Sequence, residues 1–105
     1  MERGEIRWYT FKSPDKRRPV AILTRSSALK FLGEVTIAPI TSTIRDIPTE
    51  VLLDERDGLK TACAINLDHI QTVSKDKVGA HIAKLSKGKI SEIKSALLFA
   101  LGFDN

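Results

Sequence analysis

Two short polar runs carry most of the chemistry this 105-residue chain can offer. The first is Lys12 followed by Lys16-Arg17-Arg18, which ends on Pro19. Cationic groups clustered beside turn residues make a candidate phosphate site. Pro19 restricts Arg18 to an extended backbone, which helps aim its side chain. On charge alone the same cluster also suits a solvated loop that keeps a protein soluble. The second run is Thr41-Ser42-Thr43, where a strand should end. Its hydroxyls either face an anion or satisfy their own turn through side-chain-to-backbone bonds, and a rigid hydroxyl turn can do both. Further on stand Asp68, His69 and Gln71. An imidazole facing such a site can accept or donate a proton, whereas one pointing outward is a surface residue. Gln71 is expected to alternate with His69 on one strand face. Neighbouring Trp8 and Tyr9 should split between core and surface, since strand neighbours face opposite sides.

Other chemistries lack their residues. No Gly-rich loop has the spacing that cradles a nucleotide, and Ser86-Lys87-Gly88-Lys89 does not supply it. His69 and His81 stand apart without the Cys or Glu spacing of a metal site, so no metal and no cofactor is expected. No nucleophile elbow supports a Ser-His-Asp hydrolase. The formal charge of +4 is uneven: residues 1–33 hold eight Lys/Arg against three acids, residues 34–58 two against six, and residues 59–105 seven against four. The acidic middle argues against a uniformly basic nucleic-acid coat. The lone Cys63 excludes an intrachain disulfide and should pack as a small hydrophobe, which favours a reducing, cytoplasmic home. No signal peptide is visible at the N-terminus, and the longest apolar stretch, Ala96 to Phe103, is far short of a membrane helix.

These residues must be positioned by a fold of one domain, residues 1–105. Strand-like runs cover Glu5–Phe11, Pro19–Thr24, Glu34–Ile40, Thr49–Leu53, Thr61–Leu67 and His69–Val73. Pro19–Thr24 is nearly all apolar and should be covered on both faces. Ser13-Pro14-Asp15 and Asp54-Glu55-Arg56-Asp57-Gly58 break the pattern as turns, and Thr41–Ile47 reads as a polar connection. A helical turn is expected from Ser26, as its cap, to Leu32, ending at Gly33. Val78–Leu85 reads as an edge strand or a loop. Ile90, Ile93, Leu97 and Leu101 recur at helical intervals beside Ala96 and Ala100, with Ser86 as N-cap and Gly102 beyond the C-terminus. The expected class is α+β, mostly antiparallel: a strongly bent sheet or small barrel with a C-terminal helix packed on it.

Read in order, Arg3-Gly4-Glu5-Ile6, Arg18-Pro19-Val20, Ala38-Pro39-Ile40-Thr41-Ser42-Thr43, Gly58-Leu59, Asp68-His69-Ile70-Gln71-Thr72-Val73 and Leu85-Ser86 resemble the MazF/PemK family of toxins from type II toxin–antitoxin systems. The resemblance spans nearly the whole chain and rests on joint order and spacing. It implies a small SH3-like barrel with a C-terminal helix, a homodimer, and a metal-independent endoribonuclease acting on single-stranded RNA. It also implies an acidic antitoxin segment lying along the RNA groove. Two departures stand out. The loop from Lys12 to Arg17 looks short and lacks a Ser-Glu-Gln-Gly stretch. Asp68-His69 stands where many members have Glu-Gln or Asp-Gln.

On that resemblance Arg18 and Thr41 are the catalytic pair; His69, where the chain departs from the pattern, is a further candidate acid or base on the chemistry of its imidazole. Lys12, Lys16, Arg17, Ser42, Thr43, Asp68 and Gln71 are the RNA-binding set. RNA brings its own nucleophile, the 2′-hydroxyl. An enzyme that uses it needs a proton acceptor, donors for the phosphate charge and a proton for the leaving 5′-oxygen. The alternatives are a binder of the same fold that poisons gyrase and cuts nothing, and an RNA-binding module. A pure binder has no need of Arg18 and Thr41 converging on one point.

Overall fold

The computed structural model describes residues 1–12 and 16–104. The predicted turn Ser13-Pro14-Asp15, and with it the length of the first loop, lies outside the described residues. Seven strands form one curled, half-barrel sheet: β1 Glu5–Phe11, β2 Lys16–Ile22, β3 Glu34–Thr41, β4 Glu50–Leu53, β5 Cys63–Asn66, β6 Gln71–Ser74 and β7 His81–Lys84. A single α-helix, α1 (Lys87–Leu101), follows. The strand order is β4-β5-β3-β2-β1-β7, with β6 also paired to β3, and every pairing is antiparallel. Among the described residues no helix is long and apolar enough to cross a membrane.

Strand β3 is the hub. One edge pairs with β2, as Val20 with Pro39 and Ile22 with Ile37. The other edge pairs first with β6, where Ile37 meets Gln71, and then with β5, where Ile40 meets Ile65. Six steps of chain from Ile65 to Gln71 therefore run past three steps of β3. The surplus is taken up by the 3₁₀ turn Leu67–His69, which leaves the sheet. Pro39 explains why this is tolerated. The Thr36 amide and carbonyl both bond toward the β2 side, to Thr24 Oγ1 and the Leu23 amide. By alternation the Pro39 nitrogen points the other way, at the gap between β5 and β6 where no donor is needed.

Alternation along β3 also builds two cores. Val35 and Ile37 join Val20, Ile22 and Val73 on one face, with Tyr9 and Phe11 packed alongside. Ala38 and Ile40 join Ile6, Ala21, Ile65 and Leu53 on the other, which the helix covers with Ile93 and Ala96. The helix is closed as its ends predict. Ser86 Oγ accepts from the Lys89 amide, and Gly102 takes a left-handed φ of 80° while its amide donates to Leu98 and Phe99.

Several expectations are corrected. β2 begins at Lys16, not Pro19, and His69 belongs to the 3₁₀ turn rather than to a strand. The turn near Ser26 spans Ser26–Ala28 only; Arg25 precedes it, and Gly33 does not close it. Ser26 Oγ instead accepts the Arg3 amide at 2.9 Å, joining segments 23 residues apart. Trp8 and Tyr9 are both half-buried, because Arg17 stacks 4.1 Å over the Trp8 ring and Phe11 meets Tyr9 edge-on. Leu101 leaves the helical stripe and is 52% exposed. Val78–Leu85 resolves into the edge strand β7, paired with β1.

The acidic turn after β4 is a closed unit. Asp54 accepts the Arg56 amide while Asp57 accepts the Asp54 amide, a reciprocal capping box around Glu55–Asp57. The Arg56 guanidinium holds the Asp54 carboxyl below its ordinary range. Gly58 ends the turn at a φ of 94°, and a Cβ there would lie 2.8 Å from the Ala83 side chain, which is part of the core. Gly58→Ala combines left-handed strain with that clash and is expected to cost about 1–3 kcal/mol. Urea denaturation of the two proteins measures it, and an unchanged midpoint contradicts this account of the turn.

Candidate functional site

The candidate site lies where the β2–β3 ladder runs out. The register that pairs Val20 with Pro39 places Arg18 opposite Thr41 when continued two residues toward the start of β2. Opposed residues of an antiparallel pair share a face. That face is the one carrying Val20 and Ile37, so the second core ends in a polar cleft. The cleft is a cavity of about 500 Å³ whose lining includes Arg18, Thr41, Thr43, Glu50, Asn66 and His69. Gln71, Arg45 and Phe11 complete its rim.

Three polar side chains in the cleft, Thr41, Asn66 and Glu50, are fixed by hydrogen bonds from neighbouring backbone amides. Thr41 Oγ1 accepts the Thr43 amide at 3.1 Å. This is the self-satisfying turn considered from the sequence, and it leaves the hydroxyl proton free to donate. Asn66 closes the 3₁₀ turn by accepting the Asp68 amide on Oδ1 at 3.0 Å. Its Nδ2 is thereby turned toward His69 Nδ1, 3.3 Å away. An amide nitrogen only donates, so Nδ1 is the acceptor and the neutral ring carries its hydrogen on Nε2. The proton position is thus assigned from the hydrogen-bond network. Glu50 Oε1 accepts the amides of Arg45 and Asp46 at 2.9 and 3.1 Å. It pins the loop after β3, where Asp46 adopts a positive φ of 54°.

The structure brings Arg18, Thr41, Thr43, His69 and Gln71 into one cavity. His69 and Gln71 arrive there from a turn and a strand, not from alternation along one strand. Ser42 lines a neighbouring cavity with Trp8, Leu59 and Cys63 instead. Cys63 is buried, and burial pushes its thiol pKa up. Asp68 is exposed and lines neither cavity, since its backbone amide, not its carboxylate, is what the turn uses. Lys12, Lys16 and Arg17 are exposed outside the cavity, with Arg17 held against Trp8. Asn66, Glu50 and Arg45 are the lining residues that sequence reasoning missed. The Asn66-Leu67-Asp68 spacing of an Asx turn was the readable signal for the first. Among the described residues no group of three or more His, Cys, Asp and Glu side chains is placed to hold a metal ion.

The curled antiparallel half-barrel with its C-terminal helix superposes on solved bacterial toxins. The Mycobacterium tuberculosis toxin MazF-mt6 superposes with a TM-score of 0.88 at 33% identity, covering 96% of this chain and 99% of that one. An endoribonuclease from a mycobacterial species, solved in complex with its cognate antitoxin, gives 0.87 at 26% identity over 97% and 95% of the two chains. Endoribonuclease MazF3 of Mycobacterium tuberculosis is 37% identical over 90 residues, 86% of this chain and 87% of its own length. Residues 2–101 match the family described as PemK-like, MazF-like toxin of type II toxin-antitoxin system, and the chain belongs to that family.

The Asn66–His69 contact makes a direct prediction. A long-range ¹H–¹⁵N spectrum at a pH where the ring is neutral should show His69 protonated on Nε2. Asn66→Ala should shift it to a mixture of tautomers. A predominantly Nδ1-protonated ring in the unmodified protein contradicts the assignment.

Proposed function

We propose that the protein is a toxin endoribonuclease that cleaves single-stranded RNA by attack of the 2′-hydroxyl on the adjacent phosphate. The observation that carries this reading is that Arg18 and Thr41 line one polar cavity, on the face where the β2–β3 register continued from Val20 and Pro39 sets them opposite each other. The planar guanidinium suits a phosphate that gains charge as a fifth oxygen approaches, because its fork donates two bonds while staying charged. The free Thr41 hydroxyl proton adds a donor beside it, and the His69 Nε2–H adds a third. Donors fixed before substrate arrives stabilise developing charge without reorganising. No step here calls for a metal. The products are a 2′,3′-cyclic phosphate and a 5′-hydroxyl.

Lys12, Lys16 and Arg17 attract the RNA backbone, while Thr43, Gln71 and Ser42 offer hydrogen bonds to it or to base edges. Asp68 binds RNA only through the turn it helps to form. The same groove takes an acidic antitoxin segment, whose carboxylates mimic phosphates. The similarity to a toxin solved in complex with its cognate antitoxin supports that reading. The working unit is one domain paired with a second copy, in the cytoplasm. The apolar end of α1, where Phe99 and Phe103 are 48% and 71% exposed, supports pairing.

Purified protein incubated with a long defined RNA and excess EDTA should cut it, and a single 2′-deoxy substitution on the 5′ side of a cut should stop that cut. Arg18→Ala and Thr41→Ala should each lower the rate by about 10²–10³ with the fold retained. Near-normal cutting by either folded variant removes that residue from the site, and efficient cutting of the deoxy substrate overturns the mechanism.

Charge reversal at Lys16 and Arg17 should weaken RNA and an acidic antitoxin segment together, and raised salt should weaken both. A competition titration with the Arg18→Ala protein measures this. Independent binding of both ligands at once refutes a shared groove.

A further inference from the structure

The proposed reaction leaves one role without an owner, the acceptor of the 2′-hydroxyl proton. Among the side chains lining the cavity, only Glu50 and His69 have a group basic enough to take it. Arg18 and Arg45 stay charged, and the hydroxyls and amides are not bases. His69 is spoken for: Nδ1 accepts from Asn66 Nδ2, and Nε2 already bears the ring hydrogen. To act as a base through Nε2 the ring would have to adopt the other tautomer and turn Nδ1–H against an amide N–H. Glu50 is different. Its Oε1 is held by the Arg45 and Asp46 amides, and Oε2 has no hydrogen-bond partner among the described residues.

Position agrees with chemistry. Thr41 pairs with Ala64 on β5, and Glu50 pairs with Asn66 two residues along the same strand. All four residues therefore share one face of the sheet. At about 4.8 Å per strand and 3.4 Å per residue, the Thr41 and Glu50 Cα atoms lie roughly 12 Å apart. Both side chains line the one cavity of about 500 Å³, room for a phosphodiester and its ribose between them.

We propose that Glu50 is the general base of the cleavage, an inference that rests on the endoribonuclease reading. Glu50 Oε2 takes the 2′-hydroxyl proton as the 2′-oxygen forms its bond to phosphorus. The bond from phosphorus to the 5′-oxygen breaks, and that oxygen draws a proton from solvent. Glu50 then releases its proton to solvent, so one proton has moved in net from the 2′- to the 5′-oxygen. Two backbone amides fix the carboxylate before substrate arrives, so its orientation costs nothing at the moment of reaction.

The discriminating variant is Glu50→Gln. The amide oxygen can still accept the Arg45 and Asp46 N–H groups, so the loop is kept while the base is lost. Steady-state cleavage of one defined RNA should show kcat lowered by about 10²–10⁴ with KM unchanged or lowered. The kcat of the unmodified protein should show an acid limb, because a protonated carboxylate is no longer a base, and Glu50→Gln should lose that limb. Arg18, Arg45 and His69 are the other charged or titratable groups lining the cavity, and only His69 can imitate such a profile. His69→Ala should therefore retain the acid limb. A folded Glu50→Gln protein with near-normal kcat, or one that keeps the acid limb, overturns the proposal while the endoribonuclease reading stands. If Glu50→Gln fails to fold, the unmodified protein and His69→Ala decide alone: absence of a carboxylate limb in both rejects Glu50. If the unmodified protein cuts no RNA at any pH, both readings fall.

Discussion

Everything at the site depends on β3 being paired along both of its edges in one register. β2 lies along one side, and β6 then β5 along the other. A slip of one residue would exchange the two faces of the strand. Val35, Ile37 and Thr41 would then turn to the helix-covered face, and Ala38 and Ile40 to the opposite one. Interiors packed to crystal density do not absorb such a change in side-chain volume. The two cores, one on each face, thus lock the register from both sides. The opposition of Arg18 and Thr41 is a by-product of that lock.

What β3 does not supply, turns do. The cleft sits where the ladders end, so its backbone groups would lack partners if side chains did not provide them. Thr41 serves the Thr43 amide, Asn66 the Asp68 amide, and Glu50 the amides of Arg45 and Asp46. Asn66 and Glu50 each satisfy the backbone with one polar atom and keep a second, Nδ2 beside the His69 ring and Oε2 without a partner among the described residues. Thr41 Oγ1 accepts from the backbone and keeps its own proton to donate. The same hydrogen bonds that complete the fold therefore orient the polar atoms that line the cleft. The cost is local: Asp46 is held at a φ where few side chains rest.

The parts of this fold legible in the sequence are those set by near neighbours. Ser86 and Gly102 mark the helix because capping involves residues three and four apart. The Asp54–Gly58 turn is readable for the same reason. Ser26 shows the limit. Its hydroxyl has the right chemistry for a cap, but the Arg3 amide claims it from 23 residues away. The 3₁₀ turn at Leu67–His69 hides because Leu67 and Ile70 read as strand residues, and the turn exists only to reconcile β5 and β6 with β3. Arg18 and Thr41 could be named from their resemblance to a family pattern, and His69 from the chemistry of its imidazole alone. Glu50 and Asn66 could not, since what places them in the cleft is the pairing of β4 with β5. Lys12, Lys16 and Arg17 could be named as a charge cluster, but not placed: charge says that a surface attracts phosphate and says nothing of where a reaction occurs.

That separation has a physical sense. Inside the cavity two guanidinium groups, Arg18 and Arg45, face one carboxylate, Glu50. A pocket shaped only to hold phosphate would gain by omitting the carboxylate, because like charges repel across a low-dielectric cleft. The strongest local cation cluster, Lys16 with Arg17, stands outside it instead, one residue before Arg18 turns inward. Attraction at the rim can hold an RNA strand without adding to the charge at the reacting phosphate. The interior is then free to favour the transition state over the bound strand, which is the only preference that accelerates a reaction. A carboxylate that weakens ground-state binding is consistent with such a division, since it contributes once the 2′-hydroxyl begins to lose its proton. The fold permits the division because Arg17 and Arg18, as neighbours on β2, must face opposite sides of the sheet: one goes to Trp8 and solvent, the other to Thr41.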